Sequence, residues 1–216
     1  MPHPPLRIDL QLQGLMVVPE RHPPMLDGLL LALLTQGEHL PAITADLLPV
    51  SSHESAQGDR PWHWLASALQ VNYCGPSTAR FLFKNARPLA ILENAAEHGA
   101  SRVYLDRGVT RTAKTRIVLR QATRATAWCM GDQNSLHDLL QELTHLGPLR
   151  HHGFGRVTGF SISEDDAAIK QSWLRPVSTL EAIDPYHTDR VPVQGQSAPP
   201  YWDRKAEVSY WPVEIL

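Results

Sequence analysis

One stretch, GDQNSLHDLLQELTHLGPLRHHGFGRVTGFSIS (residues 131–163), constrains the fold more than any other part of the chain. Leu136, Leu139, Leu140, Leu143 and Leu146 recur at steps of three and four, the spacing of one apolar helix face. Asp132 or Asn134 can cap its start, and Gly147 stands where a left-handed C-terminal residue is expected. RVTGFSIS then alternates, with Val157 and Phe160 inward and Arg156 and Ser161 outward, which predicts a strand. Helix, glycine loop, strand is the reverse of the strand-then-helix dinucleotide fingerprint, and no Gly-Lys-Ser/Thr follows for a phosphate loop. Gly153 and Gly155 lack side chains, so an extended backbone can pass close to them. Arg150, His151, His152 and Arg156 can offer donors there to phosphates or bases. On spacing alone, a plain helix-to-strand turn with solvated charges fits equally well.

Charge narrows the choice. Over the 216 residues the net charge is -2, so the whole molecule is no obvious polyanion binder. Between Arg80 and Arg124, however, ten basic residues meet only Glu93, Glu97 and Asp106, a net of +7 that leaves -9 for the rest. A basic centre on an acidic body fits a polyanion-binding stripe beside a partner-binding remainder. Cys74 and Cys129 form no Cys-x-x-Cys pair, which fits a reducing compartment and argues against structural zinc. MPHPPLRIDLQ has no apolar signal core, and the run LLLALL is too short to span a bilayer. The expectation is a soluble cytoplasmic protein with no membrane partner, no cofactor and no metal.

Elsewhere, LRIDLQLQGLMVV alternates at Leu6, Ile8, Leu10 and Leu12, the clearest strand. MLDGLLLALLTQG predicts a short helix with Asp27 as N-cap and Leu29, Leu30, Leu33 and Leu34 on its buried side. A catalytic role for Asp27 lacks a second carboxylate or metal ligand beside it. Trp62 and Trp64 alternate with His63 and fit core packing better than base stacking. Residues 101–128 read as two strands, Val103 and Leu105 on one arm, Ile117 and Leu119 on the other. The tip between them, DRGVTRTAKTR, carries Arg107, Arg111, Lys114 and Arg116 and cannot bury itself, but it can lie along a sugar-phosphate backbone. After Ser163 prolines multiply and periodicity fades. Trp173, Tyr186, Tyr201, Trp202, Tyr210 and Trp211 are expected to staple an extended tail to the body. The division is a body at 1–163, holding a basic hairpin at about 101–128, and a C-terminal extension at 164–216 packed on it.

Strand, helix, sheet region, helix, glycine loop and strand predict an α+β fold with a ferredoxin-like, split βαβ body. LMVVPERHPPMLDGLLLALL, WLASALQ and HLGPLRHHGFGRVTGFSI resemble stretches of the RAMP superfamily of CRISPR-associated proteins, RRM-like RNA binders with an early LDGLL helix and a late glycine loop. LRPVSTL and APPYW are similar to the tail of the subunit that caps the five-prime RNA handle in type IV effector complexes, although Ser178 stands where proline is common. The resemblance implies a ferredoxin-like/RRM-like (RAMP) body with a glycine-rich loop, an inserted basic β-hairpin thumb and an extended C-terminal tail. It implies a non-catalytic CRISPR RNA-binding subunit of an antiviral defense ribonucleoprotein, holding the five-prime repeat handle of the crRNA and capping the backbone filament. Its partners would be CRISPR RNA, the backbone RAMP subunit and other effector-complex subunits. RNA contacts are expected at Lys84, Arg107, Arg111, Lys114, Arg116, Arg120, Arg150, His151, His152, Gly153, Phe154, Gly155 and Arg156.

The alternative is a metal-independent endoribonuclease that processes CRISPR repeat RNA, with His151 and His152 as acid and base. Neighbours on an extended backbone point opposite ways, so the pair is not expected to share one phosphate. His22, His53, His63 and His145 become partners only if folding brings them close.

Overall fold

Strand β1 (Pro5–Gln13) buries Leu6, Ile8, Leu10 and Leu12 at period two, as its sequence predicts. The computed structural model describes residues 3–19, 23–36, 43–54, 62–84, 113–178, 190–194 and 208–212. Gly14, at φ +91°, turns the chain out of β1, and β2 (Leu15–Val17) follows. Helix α1 (Leu26–Thr35) buries Leu26, Leu29, Leu30 and Leu31, while Leu34, expected inside, is 41% exposed. Its N-cap is Met25, so Asp27 sits inside the first turn and is wholly buried instead of capping.

A short pair, β3 (Ser52–Glu54) and β4 (Trp62–Trp64), precedes two long strands, β5 (Gln70–Lys84) and β6 (Ala113–Met130). Trp64 is buried in the core and Trp62 packs against it. Helix α2 (Gln133–Gln141) is capped by Asp132, whose side chain accepts from the Ser135 amide at 2.8 Å. The helix ends earlier than the leucine spacing implies. Leu143 and Leu146 lie in the following loop, still buried, and Gly147 takes its positive φ there and not at the helix end. Strand β7 (Arg156–Glu164) completes the body.

Among the described residues the main sheet runs β5–β6–β1–β7, with β2 continuing beside β6, and every pairing is antiparallel. The chain order β1–α1–β5–β6–α2–β7 is therefore strand-helix-strand twice over, an α+β arrangement consistent with a ferredoxin-like body. Both helices share one core with the inward side chains of β1 and β6. Opposite the large Leu10, Ile8 and Leu6 of β1, β6 supplies the small Ala125, Ala127 and Cys129. Between Gln11 and Leu12 the register with β7 skips Thr158, which lets both Val157 and Phe160 turn inward although they are three residues apart.

The tail does more than wrap. It forms a short helix α3 (Ala168–Gln171) and a three-stranded sheet of β8 (Val177–Ser178), β10 (Val208–Pro212) and β9 (Arg190–Gln194) in that order. Trp173 and Trp211 are buried, the latter against Met25 and Ala68, as the staple reading expects. Tyr186, Tyr201 and Trp202 lie outside the described residues. Fully buried Arg175 reaches the body: its Nη1 donates to the Trp64 carbonyl and lies 3.2 Å from Asp27 Oδ2.

Candidate nucleic-acid interface

Beyond the reach of β1, strands β5 and β6 run on together, with Thr78 opposite Leu119 and Lys84 opposite Ala113; β2 flanks β6 as far as Val17 beside Leu119, and past it the pair is a two-stranded arm. The partners of Leu119 and Ile117 are thus Thr78 and Arg80 of β5. The first arm expected from the sequence, Val103 and Leu105, lies outside the described residues, as do Arg107 and Arg111.

Alternation along β6 puts Lys114, Arg116 and Arg120 on one face of the arm and Thr115, Ile117 and Leu119 on the other. The second face is apolar. Ile117, Leu119 and Val17 form a small buried cluster, and Leu82, Leu149 and Phe154 pack on it. Leu149 and Phe154 belong to the glycine loop, so the loop rests on the arm through its apolar side chains. Phe154, expected to contact RNA, is an anchor of this kind. The first face stays open. Phe81, directly opposite Arg116, is 49% exposed, and Lys114 Nζ stands 4.0 Å from its ring centroid. Arg116 is exposed, whereas Arg120 is tied back, its Nη2 donating to the Gly75 carbonyl at 3.3 Å and its guanidinium 5.6 Å from the Tyr73 ring. Phe81 belongs to this open face, whereas Arg80, opposite Ile117, is exposed on the other face; sequence reading left both out of the site. Their pairing with β6 is the signal that finds them.

The glycine loop is a turn and not an extended segment. Leu149 adopts φ +59°, Arg150–His152 form one turn of 3-10 helix, and Gly153 follows at φ +79°. Arg150, His151 and His152 are exposed. Because the backbone turns there, the two imidazoles do not diverge as expected. Their centroids are 4.3 Å apart, with the rings tilted by 46°. Of the other histidines considered as partners, His53, His63 and His145 lie on different segments, and His22 is outside the described residues. His145 Nδ1 is 3.2 Å from the Thr144 hydroxyl. His53 and His63 meet at 5.3 Å beside Trp173. Burial, with help from the nearby cations Arg175 and Arg190, pushes His63 down to about 2, so it is neutral at physiological pH.

The two loop glycines differ. At Gly155 (φ +69°) a Cβ would lie 2.0 Å from the Leu146 carbonyl oxygen. Its own amide donates to the Leu15 carbonyl at 2.9 Å, and its carbonyl accepts from the Leu146 amide at 2.7 Å. The backbone that passes close is therefore the chain's own. A Cβ at Gly153 would meet nothing within 4 Å. Arg156 is exposed at the start of β7, bridged to His145.

Asp27 is wholly buried against Arg175, and its Oδ1 accepts from the Gly28 amide at 2.7 Å. The stretches LDGLL and LRPVSTL, which carry the resemblance read from the sequence, meet at this ion pair. No group of three or more metal-ligating side chains occurs among the described residues. Burial pushes the Cys129 thiol up to about 12. No described helix is long and apolar enough to cross a membrane.

A family model described as CRISPR type IV associated protein Csf3 matches residues 4–212. The chain belongs to that family. Csf3 is a Cas5-like subunit, in agreement with the resemblance carried by the LDGLL helix and the glycine loop. Membership associates the chain with the type IV effector complex and its other subunits. Curated proteins give no match.

Proposed function

We propose that this chain is a non-catalytic RNA-binding subunit, an RRM-like RAMP body in the cytoplasm that holds the five-prime handle of CRISPR RNA and caps the backbone filament. One observation carries this reading: the open face of the β5–β6 arm, where Lys114 and Arg116 flank the half-exposed ring of Phe81. Cations that approach phosphates beside an aromatic on which a base can stack are the chemistry of single-strand binding. The side-by-side imidazoles of His151 and His152 favour a second reading, repeat cleavage by paired acid and base.

One titration separates the two. Lys114→Ala/Arg116→Ala is expected to weaken binding of repeat-derived RNA and to lower the log-log salt slope by about one unit per lost phosphate contact. Folding should persist, since exposed charges contribute little to stability. An unchanged salt slope removes the arm from the RNA path. In the same series, repeat RNA incubated in EDTA should stay intact. Cleavage lost in His151→Ala or His152→Ala at undiminished affinity would install the enzyme instead.

A further inference from the structure

The face of β1 and β6 turned away from the helices carries a polar pocket of about 340 Å³, separate in sequence and position from the arm's basic stripe. Its lining is Arg7, Gln70, Asn72, Arg124, Thr126 and Trp128, with Val71 at the edge. Strand register explains the gathering. Trp128 pairs with Arg7, Thr126 with both Asp9 and Gln70, and Arg124 with both Gln11 and Asn72, all on one face. Asp9 holds the cations in place. Its carboxylate accepts from Arg124 Nε at 2.9 Å, the Thr126 hydroxyl at 2.7 Å and Arg7 Nη2 at 3.3 Å, and it pairs with Arg124 Nη2 at 2.6 Å. Burial alone would raise its pKa; the donors from Arg124, Thr126 and Arg7 outweigh it and keep the group ionised.

That arrangement sets what the pocket can accept. Two guanidiniums against one carboxylate leave a single net positive charge, already hydrogen-bonded, so this is a poor grip for a run of phosphates. Trp128 is fixed, its Nε1 donating to Asp165 at 3.2 Å and its ring 5.9 Å from the Arg7 guanidinium. Gln70 and Asn72 are exposed two residues apart on β5, and neither side chain bonds another described residue. Paired amides with spare donors and acceptors, beside an indole and planar guanidiniums, suit the edge and face of one heterocyclic base.

We infer that this pocket receives a single unpaired nucleobase, read by the Gln70 and Asn72 amides, and so supplies base preference that the arm cannot. The inference rests on the RNA-binding reading above but involves a different face and a non-ionic contact, so the two fail differently.

The test titrates the full chain with single-stranded homopolymeric oligoribonucleotides and with the four 5′-mononucleotides, at several salt concentrations. Wild type should prefer one base. Gln70→Ala/Asn72→Ala, at exposed positions, should lose that preference and about tenfold in affinity for the favoured oligomer, the size of one lost pair of neutral hydrogen bonds, with the salt slope unchanged. Lys114→Ala/Arg116→Ala should lower the slope and keep the preference. Equal binding of all bases by wild type, or a preference that survives in Gln70→Ala/Asn72→Ala, overturns the pocket while leaving the arm intact. Mononucleotide binding without oligomer preference would overturn the RNA assignment in favour of a free nucleotide. No RNA binding at all would sink both readings. Loss of complex assembly by Gln70→Ala/Asn72→Ala with base preference intact would assign the face to a protein neighbour.

Discussion

Gly155 and Gly153 stand two apart in one loop, share a left-handed backbone, and have different reasons to be glycine. A left-handed conformation costs a non-glycine residue about 1 kcal/mol or more. At Gly153 that is the whole cost, because space around it is open. At Gly155 a methyl group would also collide with the Leu146 carbonyl oxygen, in a backbone held by the hydrogen bonds that join the loop to β2 and to the segment after α2. Gly153→Ala is therefore expected to lower stability by about 1 kcal/mol. Gly155→Ala should lose at least about 2 kcal/mol more, with thermal or denaturant unfolding as the measurement. Similar melting of the two variants would mean that the loop yields at Leu146. A sequence shows both glycines but not which backbone approaches them, so the expectation of a passing RNA strand and the finding of Leu146 were equally available from the letters. The histidines teach the same lesson. His151 and His152 were expected to diverge on an extended chain, and the positive φ of Leu149, which no residue preference signals, bends them together.

At the scale of elements, legibility follows periodicity. β1 was readable because one buried face imposes a strict period; α2 and β7 were readable in type, although α2 stops before Leu143 and Leu146 and the skip at Thr158 breaks the period of β7. The arm was readable as basic and extended, but not as to partner: strand pairing is non-local, and nothing in RIVL says that Thr78 and Arg80 lie opposite. The sheet-face pocket was invisible for the same reason, since Arg7, Asn72 and Trp128 meet only through register. The tail lacks period altogether, yet it is held by a specific device. Arg175 follows α3 and reaches Asp27 in α1, both wholly buried. Removing one partner of a buried pair leaves an uncompensated charge and typically costs about 3–5 kcal/mol, whereas replacing both by apolar groups costs far less. Asp27→Leu and Arg175→Met should each unfold the chain at markedly lower denaturant. Asp27→Leu/Arg175→Met should recover much of the loss. A double variant as unstable as the sum of the singles would show that the bonds from Arg175 to the Trp64 and Ala66 carbonyls, and not the ion pair, hold the tail.

For the whole molecule, the distribution of charge and surface decides what role it can fill in an assembly. A protein that coats RNA repeatedly along its length needs the same two faces to meet the copies before and after it. This chain has a basic segment of net +7 and a remainder of -9, and its two body edges differ in kind. Among the described residues, one edge is β5, whose distal half forms the exposed arm, and the other is β7. On the third side the tail is fastened to the body, Trp211 against Met25 and Ala68, Trp173 beside His53 and His63, and Arg175 on Trp64 and Asp27. A head-to-tail contact that repeats joins two unlike, complementary patches of one chain, so unlike sides by themselves exclude no filament. They do suit a unit that meets RNA on one face and a single protein neighbour on another. On the handle-capping role proposed above, one copy per effector complex is expected, at the handle end of the RNA. Native mass spectrometry on complexes assembled with lengthened spacers measures this directly. The backbone subunit should increase in number with spacer length while this chain stays at one copy. A copy number that climbs in parallel would make it a filament subunit, and the capping role would fall even if the arm and the sheet-face pocket both bind RNA.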